Sequence, residues 1–264
     1  MSTNTEAAKP ATFELVDDHI AVITLNRPEK RNAINGEIAR LVDGYLKEIE
    51  SNVAIRVAIL ASSLEAVFCA GADIKEMAEG RGHELATPDG GFAGLIDARR
   101  RKPLIAAVRG AALGGGCELA LACDMIVASD DASFGLPEVK RGLFAGAGGV
   151  HRLPRALPRN VALELIATGE PMSAADARAF GLVNRVVPSG KVLDTALALA
   201  RTIAANAPLS VTESLVVARQ ASEQGDADLR ALSVTVADRV FASEDAQEGP
   251  RAFLEKRVPQ WQGR

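Results

Sequence analysis

At 264 residues, of which 48% are hydrophobic, the chain is long enough to bury one substantial core, with or without an appendage. A formal net charge of −4 supplies no general attraction for nucleic acid or for anionic membranes. Three cysteines, Cys69, Cys117 and Cys123, are too few to frame a disulfide scaffold, and the stretch "MSTNTEAAKPATFE" has no apolar targeting region, so a cytoplasmic protein is expected.

Compact runs rich in Val and Ile predict strands at His19–Leu25, Arg56–Leu60, Leu104–Val108 and Met125–Ser129. Between the first two, "NGEIARLVDGYLKEIES" sets Ile38, Leu41, Val42, Tyr45, Leu46 and Ile49 at helical spacing. The basic run Arg99–Lys102 reads as a solvated helix end. Ala111–Ala128 has about the length of a membrane span, but Glu118, Asp124 and three consecutive glycines inside it argue for a buried segment of a soluble domain. Farther on, Ser173 with Asp176 forms a capping box, Gly181 marks the end of that helix, and "LVNRVV" reads as a strand. From about Asp194 the pattern is helical to the end. Strands alternating with helices predict an α/β layered domain over residues 1–205, followed by a helical part over 206–264.

Several chemistries lack their sequence signatures. His19, His83 and His151 lie in no metal-ligand spacing, and no G-x-S-x-G elbow occurs. "GLFAGAGGVH" has His151 where a dinucleotide loop needs its third glycine, and "SGKV" lacks the glycine spacing of a phosphate loop. What remains are two glycine turns leading into helices: Gly71 before a helical start at Asp73, and Gly114–Gly116 before Cys117–Leu121. Facing one another, such turns can aim two amides at a single oxygen, although either alone is more often a tight connection. Two carboxylates, Glu118 and Glu138, flank the Met125–Ser129 strand and can divide acid and base roles if the chain folds them together. The competing reading makes Glu118 a cap of the glycine turn and leaves Glu138 exposed.

In order along nearly the whole chain, "LNRPEKRNAI", "FCAGADIKEM", "KPLIAAVRGAALGGGCELALACDMIVA", "ASFGLPEVKRG", "GAGGVHRLPR", "SAADARAFGLVNRVV" and "SEDAQEGPRAFLEKR" resemble the enoyl-CoA hydratase/isomerase family, the crotonases. The resemblance implies a spiral of repeated ββα units with a C-terminal helical trimerisation region, assembled as a homotrimer or a hexamer of two trimers. It implies an acyl-CoA thioester as substrate, coenzyme A being part of that substrate, and no separate cofactor, nucleic-acid partner or membrane partner. The family's oxyanion-hole amides fall on Ala72 and Gly115, and the hydratase branch's two glutamates on Glu118 and Glu138. Glu118 would hold the water that adds to the β-carbon, and Glu138 would deliver the α-proton. Lys30, Arg31 and Ala33 match the loop along which coenzyme A runs. Ala70, Asp73, Ile74 and Lys75 match the adjoining substrate-binding stretch, and Phe253 and Lys256 the residues near the adenine end. Ala145 and Val150-His151 depart from many hydratases and resemble the branch that includes carnitinyl-CoA dehydratases. The segment Ala78–Leu95 is expected to form a mobile pocket wall. Enoyl-CoA hydration is therefore the expected activity, with another crotonase reaction or non-catalytic acyl-CoA binding as alternatives.

Overall fold

The computed structural model describes residues 9–264. The described residues start with a hairpin of β1 (Ala11–Val16) and β2 (Ile20–Leu25), turned by Asp17 and Asp18 at φ 53° and 60°. Helix α1 (Gly36–Ser51) follows, capped by the Asn35 side chain, and leads to β3 (Val57–Ser62) and the short β4 (Val67–Cys69). Helix α2 (Ile74–Ala78) precedes a small hairpin of β5 (Ala86–Thr87) and β6 (Gly91–Phe92). Then come β7 (Leu104–Val108), β8 (Ala111–Leu113), α3 (Gly115–Ala122), β9 (Met125–Ser129) and β10 (Ser133–Gly135). A 3₁₀ turn at Pro137–Arg141 leads to α4 (Gly149–Ala156) and α5 (Arg159–Thr168). After them lie β11 (Met172–Ser173), α6 (Ala174–Ala179), β12 (Arg185–Val187) and α7 (Val192–Ala204). The chain ends in α8 (Pro208–Gln220), α9 (Asp226–Phe241) and α10 (Glu244–Glu255).

Six strands form one sheet in the order β1-β2-β3-β7-β9-β12, parallel except for the β1–β2 pair. A second sheet runs β11-β10-β8-β4. The two-residue period of a strand explains how the large sheet serves two cores. Ile20, Val22, Val57, Ile59, Ala61, Ile105, Ala107 and Val127 face α7, where Val192, Ala196, Ala200 and Ala204 meet them at helical spacing. The alternate residues, Ala21, Ile23, Ala58, Leu60, Ala106, Val108 and Ile126, face the larger core that also contains α1 and the second sheet. Strands covered on both faces read as unbroken apolar runs, which is why β2, β3, β7 and β9 are legible in the sequence.

Two features differ from expectation. Strand β1 had no expected counterpart, because it is a half-exposed edge strand with only Ala11 buried. The basic run Arg99–Lys102 is irregular backbone rather than a helix end. Its side chains are internal ties: Arg100 donates to the Ala122 carbonyl at 2.5 Å, Arg101 pairs with Glu213, and Lys102 donates to the Asn52 carbonyl at 2.7 Å. The segment 78–95 is anchored at several points: Leu85, Ala93 and Leu95 are buried, and the Thr87 hydroxyl donates to Asp43 at 3.2 Å. Ser173 caps the helix as expected, its hydroxyl accepting from the Asp176 amide at 3.1 Å and donating to the Asp176 carboxylate at 2.6 Å, with Gly181 at φ 90° after the helix. Among the described residues no helix is long and apolar enough to cross a membrane.

Candidate active site

The two glycine turns come together because the second sheet aligns β4 beside β8. Gly71, at φ 98°, carries the chain from β4 towards α2, and a side chain there would stand 3.0 Å from the Gly115 amide nitrogen. Asp73 starts α2 by accepting from the Lys75 amide at 3.0 Å, while its carboxylate pairs with Arg27 at 2.7 Å. The triple glycine answers one demand of backbone conformation and two of crowding. Gly114 takes φ 55° at the head of α3, a Cβ on Gly115 would lie 2.6 Å from the Phe92 ring, and one on Gly116 would lie 2.1 Å from the Cys69 carbonyl.

This packing directs two amides into one space. In the bridge between Ile34 and Ala72, the Ile34 amide donates to the Gly71 carbonyl at 2.8 Å and the Asp73 amide to the Ile34 carbonyl at 2.9 Å. The Ala72 amide is thereby turned away from Ile34. The Gly115 amide is the first of α3 and has no intrahelical acceptor. Among the described residues neither amide donates to another group. Both residues line a cavity of about 220 Å³.

Two carboxylates share that cavity. Glu118, on the first turn of α3, is 3% exposed. Its Oε1 accepts from the Gly149 amide at 2.8 Å, so the side chain reaches the N-terminus of α4 rather than capping its own helix. Burial pushes its pKa up to about 7, an effect opposed by the Gly149 hydrogen bond and reinforced by Glu138. Glu138 enters from the 3₁₀ turn that Pro137 initiates. Burial holds its pKa above the ordinary carboxylate range, and its Oε2 is buried without a hydrogen-bond partner. The reading of Glu138 as an exposed side chain is thereby excluded. A buried acceptor with no donor costs free energy unless a bound molecule supplies one, so this oxygen is suited to meet a ligand.

Of the residues expected at the site, Ala70, Ala72, Ile74, Gly115, Glu118 and Glu138 line the cavity. Lys30, Arg31, Ala33, Asp73 and Lys75 do not. Lys30 and Arg31 are exposed on an adjoining loop, tied to the site by a hydrogen bond of 3.1 Å from the Ala70 amide to the Arg31 carbonyl. The Asp73 carboxylate is occupied by its cap and by Arg27. Phe253, 82% exposed, and Lys256 lie at the end of α10 and do not line the cavity of their own chain. Phe92, from the segment 78–95 expected as a pocket wall, lines the cavity, which also contains residues that sequence reasoning did not assign to it: Met77, Leu143, Phe144 and Ala147 supply apolar wall, and Arg141 a cation. Phe144 was visible in "GLFAGAGGVH", where an exposed aromatic between glycines was the available signal. Among the described residues no cluster of His, Cys, Asp or Glu is arranged to hold a metal ion.

A parallel α/β core that aims two unpaired amides and two buried carboxylates into one apolar cavity defines a crotonase-type protein. The family model for enoyl-CoA hydratase/isomerase matches residues 16–264, and the chain belongs to that family. A carnitinyl-CoA dehydratase of Proteus mirabilis is 43% identical over 247 residues, which is 92% of this chain and 94% of the relative. The crystal structure of an enoyl-CoA hydratase from Mycobacterium tuberculosis H37Rv matches with a TM-score of 0.92 and 41% identity, covering 97% of this chain and all of that one. A carnitinyl-CoA hydratase structure from Mycobacterium avium matches with a TM-score of 0.78 and 46% identity, covering 97% of this chain and 99% of that one. The chain is thus similar to enzymes named both as hydratases and as dehydratases.

Proposed function

We propose that the protein is a hydratase that reversibly adds water across the 2,3 double bond of a 2-enoyl-CoA to give a 3-hydroxyacyl-CoA. The observation that carries this reading is the convergence of the unpaired Ala72 and Gly115 amides with the buried pair Glu118 and Glu138. In this reading the amides receive the thioester oxygen, where negative charge develops as water adds at C3. Glu118 and Glu138 hold the water between them. Its oxygen bonds to C3, one of its protons passes to C2 through Glu138, and the π electrons of the C2–C3 bond become the new C2–H bond. Burial raises the pKa of Glu138, which suits it to take up that proton and return it. The exposed Lys30 and Arg31 beside the Ala70 turn suit the phosphates of coenzyme A.

A second reading has the enzyme run in the dehydration direction on a carnitinyl-type ester, and the names of relatives 43% identical to this chain favour it. Assays with 2-enoyl-, 3-enoyl- and carnitinyl-CoA esters, followed by enoyl-thioester absorbance and product analysis, separate hydration, isomerisation and dehydration. Glu118→Gln and Glu138→Gln are each expected to lower kcat by about 10²–10⁴-fold while acyl-CoA binding, measured by calorimetry, stays close to wild type. Wild-type turnover in either variant would remove the two-carboxylate mechanism.

A further inference from the structure

One side chain joins two walls of the cavity. Arg152, in the first turns of α4, donates from Nη1 to the Ala147 carbonyl at 2.9 Å and from Nη2 to the Ile96 carbonyl at 3.0 Å. Ala147 lines the cavity, and Ile96 closes the stretch that begins at Phe92, whose ring lies against Gly115. A planar guanidinium with both arms on backbone oxygens sets the spacing between these two walls, which a single ammonium cannot do. The backbone leaves room for it: Gly148 has φ 105°, and a side chain there would come within 1.9 Å of Arg152 Nη1. The loop held in this way ends at Gly149, whose amide donates to Glu118.

We propose that Arg152 is a positioning residue of this site: by tying Ala147 to Ile96 it aims the Gly149 amide at Glu118 and keeps a positive charge close to that carboxylate. The assignment rests on reading Glu118 as one of the two working carboxylates. Two charged groups bear on Glu118, each from a different element. Burial within α3 and the like charge of Glu138 from the 3₁₀ turn favour its protonated form, while Arg152 of α4 favours the ionised form. Around Arg152 itself lie Asp97, which supports its charge, and Arg100 and Arg155, which oppose it.

The test compares the full-length wild type with Arg152→Gln and Arg152→Lys in two measurements. One is the pH profile of kcat and KM for 2-enoyl-CoA hydration. The other is the titration of the Glu118 carboxyl, assigned by difference from Glu118→Gln in the ¹³C spectrum of glutamate-labelled protein. Arg152→Gln is expected to lower kcat about tenfold or more through misplacement of the wall and to move the Glu118 titration up by about one pH unit. Arg152→Lys restores the charge without the fork, so the titration returns towards wild type while kcat stays low. An unshifted Glu118 titration in Arg152→Gln, or wild-type kcat in both variants, would overturn the assignment. Should Arg152→Gln not fold, full turnover and an unshifted titration in Arg152→Lys overturn it, while low kcat with a wild-type titration upholds it. Because the carboxyl titration needs no turnover, a wild type that hydrates no ester removes the proposed reaction, and the spectrum alone then decides the role of Arg152.

Discussion

Glu118 is the clearest case of a residue kept against the interest of stability. The residue is 3% exposed, and the Gly149 amide donates to its carboxyl at 2.8 Å. With a pKa of about 7 in the folded chain against an ordinary 4.5, the native state binds the proton more tightly than the unfolded one does. Below pH 4.5 both states hold the proton and the residue carries no penalty. As pH rises from about 4.5 to about 7 the unfolded chain ionises first, and native stability falls; beyond that window the penalty is constant. Glu118→Gln keeps an acceptor for Gly149 and removes the charge. It is therefore expected to be more stable than wild type by about 1–3 kcal/mol at pH 8, with the difference vanishing near pH 4. Urea unfolding at the two pH values, at one fixed protomer concentration, checks this. Equal stability of the two proteins at pH 8 would mean that the native carboxylate is solvated. A carboxylate inside "AALGGGCELALACDMIVA" announced itself as a functional candidate in the sequence because it contradicts its neighbours. Arg152 did not, because an arginine in an amphipathic helix looks like a surface residue until its two acceptors, 5 and 56 residues away, are seen.

At the scale of elements, glycine shows how far local sequence carries. Gly44 lies inside α1, exposed, with nothing within 4 Å of the position a methyl group would take. Gly44→Ala is expected to stabilise the protein by about 0.5–1 kcal/mol, since alanine has less backbone freedom to lose and no neighbour objects. Gly116 is the opposite case. A methyl group there meets the Cys69 carbonyl at 2.1 Å, and rigid backbone cannot yield as a flexible side chain can. Gly116→Ala is expected to destabilise by about 1–3 kcal/mol and, by spreading β4 from α3, to weaken acyl-CoA binding at the two amides. Thermal unfolding with calorimetric titration of an acyl-CoA distinguishes the pair, and a Gly116→Ala protein with native binding would show that the two turns are not rigidly coupled. The sequence marks both residues as glycine and nothing more. It shows β2, β3, β7 and β9 plainly, because each is an apolar run buried on both faces. The strands that build the site are three residues long or less, β4, β8, β10 and β11, too short for any two-residue period to register. The sheet that brings Gly71 to Gly115 is thus a property of tertiary contacts, although both turns were legible as candidates.

Across the whole molecule, burial is distributed unevenly. Helix α7 sets four residues into the core, Val192, Ala196, Ala200 and Ala204. Helix α8 buries only Glu213, and the sixteen-residue α9 buries only Val236. Glu213 is fully buried between Arg101 and Arg239, an ion-paired anchor that fixes position more than it adds stability. Helices draw most of their stability from a packed apolar face, and within one chain these two have almost none. The apolar residues of α8 are half-buried, while on α9 Val234 is 63% and Phe241 76% exposed, and on α10 Phe253 and Leu254 are 82% and 80% exposed. Exposed apolar surface on this scale marks an interaction face. Such a face suits the homotrimer, or hexamer of two trimers, that the family resemblance implies, held through the C-terminal helices. Multi-angle light scattering should give a mass of three or six times 27.7 kDa. Phe241→Asp, which places a charge on that face without touching the cavity, should move the population towards smaller species as the protein is diluted. A wild type that is monomeric at micromolar concentration would show that α8 and α9 hold their places without a partner. The near-absence of fully buried apolar residues in both helices would then have to be compensated by polar ties, Glu213 with its two arginines and Arg219, which pairs with Asp124 at 2.7 Å and donates to the Arg100 carbonyl at 2.6 Å.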